Sequence, residues 1–185
     1  KLKGGRGSVF PVIKTERLIL REIIKEDISV IFSYLSNENV TRFYGRELMQ
    51  SMEEAEELMD LFSLNYLEKR GIRWGIERKE SKGLIGTIGF HAWQPKHKRA
   101  EIGYEIHPLH WRQGYAAEAI SGVLSYGFNE MDLTRIGAVV FIENDASNNL
   151  LAKLEFQREG VLRKYMHQNG VEHDAYVYSL LKSNG

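Results

Sequence analysis

The chain has no cysteine, and this absence excludes a disulfide framework, a thiolate metal site and a cysteine nucleophile. Net charge is missing as well. Twenty-five basic and 25 acidic residues cancel, so no overall field draws in nucleic acid or an anionic membrane. No apolar run approaches the ~20 residues that span a bilayer, and the opening residues hold no hydrophobic signal core. The six histidines are scattered without HExxH or other ligand spacing, so no metal is expected. Internal repeats, low-complexity tracts and linkers are absent too. The expectation is a soluble, cytoplasmic protein with no membrane partner and no direct nucleic-acid partner.

What is present suits one core. With 185 residues, 43% of them hydrophobic, a single domain over residues 12–185 is the economical reading. The basic, glycine-rich opening KLKGGRGS reads as part of a flexible arm over residues 1–11, native or foreign to the chain. Arg17 to Ile24 alternates as a strand, and Ile28, Ile31, Phe32 and Leu35 form a helical stripe after Asp27. Ser51 and Glu54 suggest a capping box for a second helix to about Lys69. Ile72–Arg78 and Leu84–Trp93 read as a hairpin. Later segments follow as a strand at 135–142, a short helix at 147–154, and strands near 160–166 and 173–181.

The most informative stretch is AEIGYEIHPLHWRQGYAAEAISGVLSYGFNE, residues 100–130. Ile102, Tyr104 and Ile106 alternate with Glu101, Gly103 and Glu105, the period of a half-buried strand, and Pro108 stops it. Ile120, Val123, Leu124 and Phe128 then recur at helical spacing. Between them, residues 111–116 form a loop that enters a helix, where unpaired N–H groups and the macrodipole favour an anion. Gly114 and the small Ala116 permit close approach, and Arg112 adds charge. The pattern satisfies neither GxxxxGK[ST] nor GxGxxG, which sets aside the mononucleotide and dinucleotide loops.

Together with TERLILRE (Thr15–Glu22) and ENDASNNLLAKLEF (Glu143–Phe156), this stretch resembles the GCN5-related N-acetyltransferase (GNAT) family over roughly residues 12–182. Its form, with Trp111 at the first position of the turn, is similar to the WxxGxxxEA pattern of the ribosomal-protein N-terminal acetyltransferase branch. The resemblance implies a mixed, mostly antiparallel α/β sheet of about seven strands with about four helices, splayed between the fourth and fifth strands. It implies acetyl-CoA as cosubstrate, with its diphosphate on Arg112, Gln113, Gly114, Tyr115 and Ala116. The backbone of Ile106 and His107 would meet the pantetheine arm, with Asn144, Asn148 and Lys153 as further cofactor contacts. Phe43 and Tyr44 would border the acceptor, and Trp74 could line its cleft.

Amine attack on a thioester needs a proton acceptor, an oxyanion donor and an acid for the thiolate. Glu105, acting through a water, is the expected base, with Glu101 a weaker candidate. The Ile106 N–H is the expected oxyanion donor and Ser147 the acid, with Tyr104 and Tyr115 as rivals. Ser147 is also a good helix N-cap by residue type. The implied acceptor is a primary amine, most simply a protein N-terminal α-amine of ribosomal type. A polyamine, an amino acid or an aminoglycoside is the alternative, and so is a non-catalytic acyl-CoA-binding module. Monomer and homodimer are both compatible with the sequence.

Overall fold

Alternation builds the sheet and 3.6-residue spacing builds its cover. The computed structural model describes residues 9–184. In chain order the elements are β1 (Ile13–Lys14), β2 (Leu18–Arg21), α1 (Ile28–Leu35), α2 (Glu38–Thr41), α3 (Met52–Leu67), β3 (Ile72–Arg78), β4 (Ser81–Gln94), β5 (Arg99–Ile106), α4 (Tyr115–Glu130), β6 (Arg135–Phe141), α5 (Asp145–Lys153), β7 (Gln157–Gln168) and β8 (Val171–Leu181). The sheet order is β1-β2-β3-β4-β5-β6-β8-β7. Every pairing is antiparallel except β5 with β6.

The expected class holds, with eight strands and five α-helices among the described residues in place of about seven and four. The extra pieces are the two-residue β1 and the single-turn α2, both too short to carry a periodic signal. Because β1 adds one to the count, the expected gap between strands four and five lies between β5 and β6. These strands pair only at Arg99↔Arg135, Ala100↔Ile136 and Glu101↔Gly137. Beyond Glu101 they part.

Two apolar clusters cover the two faces. One packs Ala100, Ile102 and Ile106 of β5 and Trp74 of β3 beneath Ala119, Ile120 and Val123 of α4. The other joins Ile28, Ile31 and Leu35 of α1 to Ala55 of α3. Of the expected arm, residues 1–8 lie outside the described residues. Phe10 packs 5.0 Å from the Tyr66 ring, and the Pro11 carbonyl accepts from Trp74 Nε1 at 3.0 Å.

The Ser51 capping box does not form as expected, since Ser51 makes no side-chain cap bond. Glu54 reaches back one residue further and accepts from the Gln50 amide at 2.9 Å.

Candidate active site

The loop into α4 is fixed from three sides. Trp111 donates its indole N–H to the Ile106 carbonyl at 2.6 Å, tying the loop to the end of β5. Arg112 (φ 60°) and Gly114 (φ 80°) both adopt the left-handed conformation, which for Gly114 carries no Cβ penalty. Arg17, from the TERLILRE segment, donates to the Gln113 carbonyl at 2.9 Å and to Glu118 in the first turn of α4 at 2.7 Å. The result is a helix start whose first-turn amides have no intrahelical partner. A side chain at Gly114 would meet only Arg17 Nη2, at 3.3 Å, so the cradle is open on its outer side and fits a phosphate pair.

The residues of this turn divide. Arg112, Gln113 and Gly114 are exposed, and Ala116 is half-buried. The Gln113 side chain reaches Leu109 O at 3.3 Å. Tyr115 departs from expectation: its side chain is buried in the α4 core with the Arg17 guanidinium 4.4 Å above the ring. Only its backbone can face an anion, and its phenol is placed poorly as a rival acid.

Strand register decides which β5 amides are free. His107 N–H donates to Ile85 O at 2.7 Å, and Glu105 is directly opposite Thr87 two residues earlier. In an antiparallel ladder hydrogen-bonded pairs alternate, so the backbone groups of Tyr104 and Ile106 point away from β4. They point toward β6, which has already separated. Ile106 therefore turns its N–H to the gap, whereas the His107 N–H is used within the sheet. The His107 ring accepts from the Leu109 amide.

Glu105 is not the water-facing carboxylate of the sequence reading. It is 6% exposed and points to the α1–α3 face. One oxygen accepts from Thr87 and, at 3.5 Å, from Tyr34; the other accepts from Arg73 and, at 2.6 Å, from Tyr44. Arg73 also donates to Thr87 Oγ1, the Gly103 carbonyl and Tyr44 Oη. Burial first, and the Glu105 charge second, push the Tyr34 and Tyr44 phenols above their ordinary range, so both stay protonated donors. Burial is the largest influence on Arg73 and disfavours its cation, yet the charge of Glu105 together with Tyr44 and Tyr34 outweighs it and raises the pKa. Glu101, the weaker candidate, is instead paired with His91 at 3.1 Å.

Tyr44 thus bonds Glu105, and Phe43 precedes it in the loop before α3, half-buried under the Arg42 guanidinium. Alternation instead places Trp74 on the α4 face with no exposed surface, edge-on to Tyr126 and Phe90, where no acceptor can touch it.

On that α4 face, the Tyr104 hydroxyl donates to Ser147 Oγ at 2.9 Å, joining β5 to α5 across the gap. Burial raises the Tyr104 pKa while the Ser147 bond opposes it. The cap of α5 is Asn144, whose Oδ1 accepts from the Ser147 amide at 3.2 Å. Ser147 is consequently not the N-cap, and its hydroxyl stays available. Asn148 turns inward: its amide donates to the carbonyls of Phe141 and Ile142, and its oxygen accepts from Tyr178 at 2.7 Å. Those bonds consume the side chain, so Asn148 braces α5 and is no free cofactor ligand. Lys153 is exposed at the last position of α5, six residues beyond Ser147 and therefore ~9 Å along the axis.

Arg73, Thr87, Tyr34 and Arg17 escaped the sequence reading. Their spacing along the chain carries no motif, and only the alternation that puts Arg73 opposite in face to Trp74 hinted at an inward charge.

An acetyltransferase (GNAT) domain model matches residues 17–157. An uncharacterised N-acetyltransferase of Bacillus subtilis, YoaA, is 59% identical over 174 residues, 94% of this chain and 98% of the relative. The crystal structure of spermidine N-acetyltransferase from Vibrio cholerae in complex with CoA and spermine superposes with a TM-score of 0.79 at 27% identity, covering 89% of this chain and 95% of that one. An acetyltransferase from Salmonella typhimurium that modifies the N-terminal serine of ribosomal protein L7/L12 has a TM-score of 0.85 over 94% of this chain and all of its own. At 19% identity, that last likeness speaks to the fold alone.

Proposed function

The chain belongs to the GNAT acetyltransferase family and is an acetyl-CoA-dependent N-acetyltransferase, and from that premise we propose that it passes the acetyl group directly to a primary amine in a ternary complex. The observation that carries this reading is the gap itself. A free Ile106 N–H faces it in the plane of the sheet, Ser147 and Tyr104 flank it on the α4 face, and Glu105 with Tyr44 flank it on the other. An acid and a base on opposite faces of one opening suit a donor and an acceptor that enter from opposite sides.

Acetyl-CoA supplies an activated acyl carbon and a thiolate leaving group. In our reading the first turn of α4 and the Arg112–Ala116 loop hold its diphosphate, and the Asn144 amide, whose oxygen is spent on the cap, has donors left for the pantetheine arm. Lys153 lies farther along α5 and would meet only the outer part of the cofactor. The Ile106 amide faces the carbonyl oxygen as negative charge develops there.

Tyr44 takes the amine proton on its second lone pair and passes its own proton to Glu105, so the base acts through a phenol. Phe43 shapes the acceptor entrance beside it. Ser147, whose oxygen is already bonded by Tyr104, gives its proton to the departing sulfur and regains one from Tyr104, which is reprotonated from solvent as the products leave the gap. Each positioned acid or base of this kind adds ~10² to 10⁴-fold.

Two acceptors are supported by different features. The Trp111, Gly114, Glu118 and Ala119 form favours a protein N-terminal α-amine. A polyamine is favoured by an open cavity of about 730 Å³ whose lining includes Glu38, Glu47, Glu54 and Glu57 against a single Arg46, and by the spermidine-acetylating relative. A panel of peptide N-termini and polyamines, followed by free-thiol release, separates them: turnover confined to peptides supports the first and turnover confined to polyamines the second. No turnover with any primary amine, while CoA still binds, would leave the acyl-CoA-binding module as the better reading.

A further inference from the structure

The first turn of α4 contains a contradiction in charge. It is the expected seat of a diphosphate, yet Glu118 stands in it, and a bare carboxylate there would repel the ligand. The structure resolves this with groups from the far end of the chain. Glu118 accepts from the Thr15 hydroxyl, from the Arg17 amide at 2.8 Å and from Arg17 Nε at 2.7 Å. The same guanidinium uses Nη1 on the Gln113 carbonyl at 2.9 Å and lies over the Tyr115 ring. Its remaining nitrogen, Nη2, has no hydrogen-bond partner among the described residues and is the group nearest to where a Gly114 side chain would project. The Arg17 side chain is 43% exposed, so this nitrogen is open to solvent and to a ligand.

We propose that Arg17 is a positioning and binding residue for the diphosphate: it neutralises Glu118, holds the Arg112–Gly114 turn through the Gln113 carbonyl that lies between the left-handed Arg112 and Gly114, and presents Nη2 to a phosphate oxygen. One planar fork serves all three tasks, which a lysine could not do. The inference rests on the acyl-CoA reading of this turn.

The test compares two donors. Acetyl-CoA carries the diphosphate, and S-acetyl-pantetheine carries the same thioester without it. Arg17→Ala should raise KM for acetyl-CoA roughly 10- to 100-fold, the worth of one or two charge-assisted hydrogen bonds, with kcat at saturation within about threefold. On S-acetyl-pantetheine the variant should match the wild type. Arg17→Lys should recover part of the loss on acetyl-CoA alone. It also serves as the test protein if the alanine variant does not fold. An unchanged KM for acetyl-CoA, or an equal loss on both donors, would overturn the proposal and leave Arg17 a structural brace. If calorimetry shows no CoA binding to the wild type, the acyl-CoA reading falls first and this inference with it.

Discussion

Glu105 shows how a single carboxylate can confuse two roles, because it is both the proposed base and the counter-ion of a buried Arg73. The two side chains are 4% and 10% exposed. Removing one partner of such a pair leaves an uncompensated buried charge and costs ~3–5 kcal/mol. Glu105→Ala is therefore expected to lower the melting temperature by roughly 10 °C or more, and lost activity in that variant would say little about chemistry. Glu105→Gln keeps the shape and one acceptor oxygen, hence two of the four hydrogen bonds, but it turns an NH2 toward donors and leaves the Arg73 charge unpaired. It should melt below the wild type and above the alanine variant, and at a temperature where it is folded it should bind acetyl-CoA with near-normal affinity and lose ~10²-fold or more in kcat. A glutamine variant with full kcat would remove Glu105 from the proton path. On the other face, Ser147→Ala and Tyr104→Phe act on one hydrogen bond, so their effects on kcat should be far from additive when combined. A double variant slowed by the product of the two single effects would show that Tyr104 and Ser147 work separately.

Among the elements, α4 and α5 begin by different devices. Gly114 starts α4 by adopting φ 80°. Gly114→Ala forces an L side chain into that region at a cost of ~1 kcal/mol. It also brings a methyl to 3.3 Å from Arg17 Nη2. A melting temperature lower by ~2–4 °C together with a raised KM for acetyl-CoA is the expected pair of effects. Asn144 caps α5 through its side chain, and Asn144→Ala should cost ~1 kcal/mol and loosen Ser147 one turn away. This level also shows what the sequence could tell. The strand at 101–106, the Gly114 turn and the amphipathic α4 were legible because period and turn chemistry are local. The cap of α5 was ambiguous, since Asn144 and Ser147 are both good caps by type and only geometry chooses. The environment of Glu105 was illegible: its partners come from β3, β4, α1 and the α2–α3 loop, and no local pattern records a contact made across three strands.

For the molecule as a whole, several carboxylates are more acidic folded than free. Glu101 is held down chiefly by its bond to His91, and Glu159 by Arg135. At Glu118 burial pulls upward, but the Thr15 and Arg17 hydrogen bonds outweigh it. A depressed folded pKa means stabilisation that is fully present above the ordinary value of 4.5 and is lost as pH falls below it through the folded values. Thermal melts taken from neutral pH downward should show a plateau and then a decline beginning near 4.5, shallower in Glu118→Gln; a decline of identical slope in that variant would contradict the assignment. At neutral pH, acetyl-CoA at 100 times its Kd should add ~2.7 kcal/mol, a rise of roughly 5–10 °C.

The three-residue seam between β5 and β6 also has a dynamic signature. Amides in the centre of an eight-stranded sheet ordinarily exchange with solvent deuterium only on global unfolding. Here Tyr104 and Ile106 lie in the middle of the strand order with no strand partner on one side. They should exchange orders of magnitude faster than their neighbours Gly103 and Glu105, and should slow when a CoA thioester occupies the gap. The sheet interior would then act as a ligand gauge, read one amide at a time.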